Sequence, residues 1–148
     1  MRSIIALALI LIACSRQMTS PTGRLEVTAK VAPSSFRVGE TVTVIVTVAN
    51  RRDGAQTIET NGCLAAFEVT TSGGTVVGPG QRICSLVSMP RTLEPGAQFI
   101  FSQTWSGDAI RAGADAPLLM LTAGTYLVHG RSFGAEANNP AVIIQINP

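Results

Sequence analysis

Residues 41–49 read Thr41-Val42-Thr43-Val44-Ile45-Val46-Thr47-Val48-Ala49. Val42, Val44, Val46 and Val48 recur at period two with Thr41, Thr43, Ile45 and Thr47 between them, so one face of an extended strand is wholly apolar and β-branched. Such a face belongs to a core, because branched side chains suit a pleated surface and pack across it. Upstream, Leu25, Val27, Ala29 and Val31 alternate with Glu26, Thr28 and Lys30 until Pro33-Ser34-Ser35 ends the run. This is the period of a half-buried strand.

Downstream, Asn50 to Gly54 is a turn signalled by Asp53-Gly54, and Gln56 to Thr60 a short strand. Ala66 to Thr70 and Thr75 to Val77 form a hairpin about Ser72-Gly73-Gly74, and Gly78-Pro79-Gly80 then breaks the chain. Residues 81–92 show no clear period. After the turn Leu93-Glu94-Pro95-Gly96, Phe99, Phe101, Gln103 and Trp105 alternate with Ile100, Ser102 and Thr104, and this aromatic side is expected to meet the valine side of 41–49. Ser106 to Ala116 reads as a loop, 123–129 and 142–146 as the last strands. Seven to nine short strands, with no helical period and no internal repeat, add up to one all-β, antiparallel sandwich, with a barrel as the alternative.

Composition agrees with a single packed domain. The chain has 148 residues, 46% hydrophobic and 14% charged, the balance of a sequence that buries a core and not of a disordered one. Its formal charge is +2 with no basic cluster, which argues against a nucleic-acid partner. One His leaves little material for a His-based metal site or for most His-based catalysis.

The N-terminus carries an address. Met1-Arg2-Ser3 precedes an unbroken apolar run from Ile4 to Ile12, a charged segment followed by a hydrophobic one. At about 1.5 Å per residue that run reaches about half of a ~30 Å hydrocarbon core, so it reads as a removable signal and not as a permanent span. Leu11-Ile12-Ala13-Cys14 then resembles the lipobox of bacterial lipoproteins. The resemblance implies cleavage before Cys14 and lipid on its thiol; an ordinary secretory signal with an incidental Cys, or a plain N-terminal anchor, are the alternatives. The expected organisation is a signal peptide over 1–13, a lipidated N-terminus and flexible tether over 14–23, and a β-sandwich over 24–148. The protein is then exported to the cell envelope and held there by lipid, since two or more acyl chains bind membranes stably where one does not. Ser15 after the cysteine favours the outer membrane if the source has one, because an Asp there would resemble an inner-membrane retention signal.

With Cys14 taken by lipid, Cys63 and Cys84 remain, and an oxidising compartment favours their pairing. Closing the twenty residues between them would contribute about 3 kcal/mol in the chain-entropy view. Free buried thiols and a metal site are the competing uses. Neither cysteine has a second Cys or a His at chelating distance along the chain. A blue-copper site built on Cys84 and Met89 would need two imidazoles, and His129 is the only one. His129 instead falls in a predicted strand, surface-facing or hydrogen-bonded.

Four pieces stand in order: Val48-Ala49-Asn50; Phe67-Glu68-Val69 leading to Gly73-Gly74; Leu93-Glu94-Pro95-Gly96 followed by Phe101 and Trp105; and Ala123-Gly124-Thr125-Tyr126-Leu127-Val128-His129-Gly130. Together they resemble the BsuPI-like intracellular proteinase inhibitor domain over roughly residues 25–147. The resemblance implies an immunoglobulin-like sandwich that acts by binding a serine proteinase. It carries over no set of contact residues. Gly124-Thr125-Tyr126 also looks like a tyrosine corner, in which the phenol bonds back to nearby backbone.

No nucleophile elbow, phosphate-binding loop, zinc-protease helix or calcium loop occurs in the sequence. Asp108 and Asp115 are the nearest carboxylate pair, in a segment read as loop, where solvation is the expected state. No enzyme activity, cofactor or metal is expected. Two readings of function stand: an envelope-anchored lipoprotein with a protein-binding module of proteinase-inhibitor kind, or a structural or accessory envelope lipoprotein without inhibitor activity. Pro117-Leu118-Leu119-Met120-Leu121 separates them, being oddly apolar for a connection. Exposed, Leu118, Leu119 and Met120 would be a partner site for a proteinase or an envelope component. Folded in as an edge strand, the reading favoured here, the segment says nothing.

Overall fold

A computed structural model describes residues 25–60, 66–79, 89–110, 117, 119–132 and 140–148. Ten strands run in chain order: β1 (Glu26–Ala32), β2 (Ser35–Arg37), β3 (Val42–Ala49), β4 (Gln56–Thr60), β5 (Ala66–Thr70), β6 (Val76–Gly78), β7 (Met89–Leu93), β8 (Gln98–Trp105), β9 (Gly124–Arg131) and β10 (Val142–Asn147). Three strands in the order β1-β3-β8 form one sheet, five in the order β2-β10-β9-β5-β6 form the other, and β4 pairs with β7 as a separate ribbon. The fold is an all-β, immunoglobulin-like sandwich. Every strand pairing is antiparallel except that of β2 with β10, which is parallel.

The valine strand lies at the centre of its sheet, and Val42, Val44, Val46 and Val48 are all at or below 1% exposure. Burying a side chain of this size contributes about 1.5–3 kcal/mol, so this one face is a large part of the driving force. Leu25, Val27 and Ala29 of the β1 segment, Phe67 and Val69 of β5, Tyr126 and Val128 of β9 and Ile144 and Ile146 of β10 complete the core. The intervening positions face out, as the alternation requires: Ile100 is 63% and Ile143 66% exposed.

The aromatic side of β8 meets the valine side of β3, as expected, and does so within one sheet. It does not face the valine strand across the core but lies beside it, with Val42 opposite Trp105, Val46 opposite Phe101 and Val48 opposite Phe99. Both inward faces therefore look towards the five-stranded sheet. Trp105 reaches across, its ring edge-on to Phe36 of β2 at 6.0 Å and to Phe67 of β5 at 5.7 Å between centroids.

Two strands lie outside the readable pattern. β7 contains Pro90, which lacks a ladder donor and demotes any such run, and it forms only because β4 supplies a partner. β2 spans three residues, and its alignment with the end of β10 places Asn147 Nδ2 2.9 Å from Ser35 Oγ. Between β1 and β2 the chain passes from one sheet to the other at Pro33, whose peptide bond with Ala32 is cis.

At Gly130 the two sheets approach closely. A Cβ there would stand 3.1 Å from Val27 Cγ1 and 3.2 Å from Val46 Cγ1, so a side chain on β9 at this position would press on β1 and β3.

Candidate functional site

The segment from Gly107 to Ile110 leaves β8 through a backbone that Gly107 holds at φ 82°, a conformation open to glycine and costly for most other residues. It then runs between two neighbours. Ile110 N donates to Val77 O at 2.9 Å, which joins it to the edge of β6. On its other side Ala109 N donates to Leu119 O at 2.8 Å and Leu121 N to Gly107 O at 2.7 Å, with Asp108 opposite Met120 as a single bridge. Trp105 fixes the start of the segment from within, its indole N–H donating to Asp108 O at 3.2 Å.

This ladder divides the apolar run 117–121. Leu121 turns into the core at 7% exposure, Met120 is half-buried, and Leu119 stands 59% exposed. The segment is thus neither a buried edge strand nor a free loop: its backbone is tied into the sheet while Leu119 points to solvent. Leu118 lies outside the described residues, as do Cys14, Cys63, Cys84 and Asp115. Ile110 at 47% and Val76 at 43% exposure belong to the same backbone neighbourhood. Sequence reading passed over both, because an isolated Ile in a Gly- and Ala-rich stretch and a Val beside a hairpin turn carry no periodic signal.

The remaining candidates are structural. Tyr126 donates its phenol to Thr122 O at 3.0 Å, with Gly124 between them close enough that a Cβ there would meet the ring at 3.5 Å. That is the tyrosine corner expected from Gly124-Thr125-Tyr126. His129 Nε2 lies 3.1 Å from Thr70 Oγ1 on the outer face of the five-stranded sheet. Glu68, opposite His129 in the ladder, pairs with Arg131 at 2.8 Å. These are side chains satisfied by cross-strand neighbours, as the sheet places residues of one face together.

Asn50 opens the turn expected over 50–54, and its environment carries no local sequence signal. It is fully buried. Its Nδ2 donates to Leu93 O at 2.8 Å and to Gly54 O at 2.9 Å, and its Oδ1 accepts from Arg52 N at 3.0 Å. Its own N–H donates to Ala97 O and its carbonyl accepts from Gly96 N, each at 2.9 Å. One residue therefore ties the β3–β4 turn to the β7–β8 turn.

No protein-family model matches the chain, and no curated protein matches it in sequence. Among solved structures it is similar to a β-glucosidase of Erythrobacter marinus at 16% identity and a TM-score of 0.52, over 84% of this chain and 16% of that one. A β-glucosidase of Listeria innocua aligns at 12% identity and a TM-score of 0.48, over 86% of this chain and 16% of that one. An alkylpurine DNA glycosylase of Pseudomonas fluorescens aligns at 14% identity and a TM-score of 0.46, over 85% and 31% of the respective chains. The chain thus spans about a sixth of the glucosidases' length, and the Erythrobacter marinus likeness is one of fold: a β-sandwich of this architecture also occurs within a larger protein.

Proposed function

We propose that this chain is an envelope lipoprotein, held by lipid on Cys14, whose sandwich binds a protein partner through the edge that carries Leu119 and does no chemistry of its own. The observation that supports the binding reading is the 59% exposure of Leu119 on a backbone bonded to the Gly107–Ile110 segment, which is itself joined to Val77 on its other side. A rigidly presented apolar side chain loses little entropy on docking, which is what loops on a β scaffold commonly offer a partner. Resemblance to the BsuPI-like inhibitor domain makes a serine proteinase the partner to try first. The disulfide between Cys63 and Cys84 belongs to the same proposal, as the use an oxidising compartment has for two remaining thiols.

Titrating the protein against serine proteinases of the envelope and medium should abolish one activity near a one-to-one ratio. Leu119→Asp should weaken that inhibition at least tenfold, the ~1.4 kcal/mol that a lost apolar contact readily supplies, while leaving the thermal midpoint within about 2 °C because the side chain is outside the core. A lowered midpoint with inhibition intact would remove the 119–121 segment as a binding site, and no inhibition of any proteinase would favour a structural envelope role.

Fatty-acid labelling addresses the anchor separately. Wild type should take up label and Cys14→Ser should not; unlabelled wild type sinks the lipid reading. In the same exported protein, peptide mapping without reductant should return Cys63 linked to Cys84, and two alkylatable thiols would exclude the pairing.

A further inference from the structure

The geometry points to a second protein-binding element, the outer edge of β8, and to a second copy of this chain as its occupant, joined edge to edge in antiparallel fashion about a two-fold axis at Ile100. Among the described residues β8 pairs with β3 and with no other strand. Asn50 N donates to Ala97 O at the position next to the Ala49–Gln98 pair, so the ladder bonds to β3 fall on the odd-numbered residues of β8. Gln98, Ile100, Ser102 and Thr104 consequently turn their N–H and C=O groups away from β3, and all four residues are exposed. That is a row of open donors and acceptors along a strand of eight residues.

The other sheet edges are guarded, and this one is not. β1 carries Glu26 and Lys30 and is followed directly by Pro33. β2 has three residues, one of them Arg37, and β6 has three, with its far side already bonded by Ile110. β8 reads Gln98-Phe99-Ile100-Phe101-Ser102-Gln103-Thr104-Trp105, without a charge or a proline. Charges are the usual device against edge pairing, and in self-pairing a charge on the two-fold axis would face its own copy. A strand without charges meets its own copy without repulsion, and the charge recorded against β8, Arg91 of β7, lies over the Phe99 ring at 4.5 Å.

Self-pairing with Ile100 opposite Ile100 sets Gln98 against Ser102 and Phe99 against Phe101 of the other copy. It satisfies the open backbone groups about the axis and covers the outward Ile100, 63% exposed in the single chain. It also brings together inward-facing Phe99 and Phe101, which pack only partly buried against the core. Eight residues a side fall short of the roughly 20–30 of a standard interface, so the association is weak and is best trapped covalently.

Directly opposed residues in such a pair have Cα atoms about 5.5 Å apart, within disulfide reach. In cells expressing the full chain, Ile100→Cys should yield a disulfide-linked dimer on mild oxidation. Thr104→Cys should stay at the wild-type background, because the two copies of position 104 lie on opposite sides of the axis. A Gln98→Cys chain co-expressed with a Ser102→Cys chain should also cross-link, and adding Ile100→Lys to both should abolish the product while the monomer keeps its melting point. Absence of a dimer from Ile100→Cys, or equal yields at 100 and 104 as random collision would give, overturns the proposal. Retention of the 98–102 product in the presence of Ile100→Lys overturns it as well.

Discussion

Trp105→Ala should lower the thermal midpoint by roughly 10–20 °C. The indole is 2% exposed and is gripped edge-on by Phe36 and Phe67, so its loss opens a cavity in the core. Truncations of this kind cost about 3–5 kcal/mol, a large part of the ~5–15 kcal/mol that holds a domain together. The change also removes the donor to Asp108 O, which anchors the segment that presents Leu119. Trp105→Phe keeps most of the packing and loses that bond, so it should cost less than half as much. It should nonetheless weaken partner binding through Leu119. Circular-dichroism melts of the three proteins read the stability effect, since Trp105 is the sole tryptophan and its removal abolishes the fluorescence probe. A midpoint for Trp105→Ala within about 3 °C of wild type would mean that the two sheets are not held by this contact.

Asn50→Ala should cost about 3 kcal/mol, because the buried carbonyl of Leu93 and the part-buried carbonyl of Gly54 lose their donor together, and an unsatisfied buried group costs about 1–3 kcal/mol. Asn50→Asp separates hydrogen bonding from shape. It preserves the outline and replaces the amide donor with an oxygen aimed at those same two carbonyls, so at neutral pH it should be worse than alanine. The folded state then favours the protonated acid and raises that carboxyl above its unfolded value near 4. A group raised on folding contributes its stability below the unfolded value and loses it as pH rises, so the deficit of Asn50→Asp should shrink on acidification. Urea unfolding at two pH values reads this directly. If Asn50→Asp matched wild type at neutral pH, the amide would not be the link between the two turns.

Asn50 also marks where reading a sequence stops. Its neighbours Arg51, Arg52, Asp53 and Gly54 are those of a solvent-facing turn, and nothing local says that the first residue is covered. Its cover comes from Leu93, Gly96 and Ala97, more than forty residues away along the chain. The same holds for β2 and β7, which lack a period of their own and exist because a strand distant in sequence offers them a ladder. The aromatic strand shows a subtler case: alternation told which residues of 99–105 face inward, but a period cannot distinguish a strand that faces the valines from one that lies beside them.

Strand identity over 25–31, 41–49, 66–70, 99–105, 123–129 and 142–146, and facing over the first, second, fourth and last of these, were determined by sequence alone, since a period-two pattern is a property of the backbone and needs no partner to be legible. So was the tyrosine corner, whose bond spans four residues. Tertiary structure decided which strands share a sheet, that the sheets approach closely at Gly130, and that Leu119 faces out while Leu121, two residues on, faces in. Each of these depends on where a remote segment docks, and the free energy of docking is summed over contacts that no local window contains.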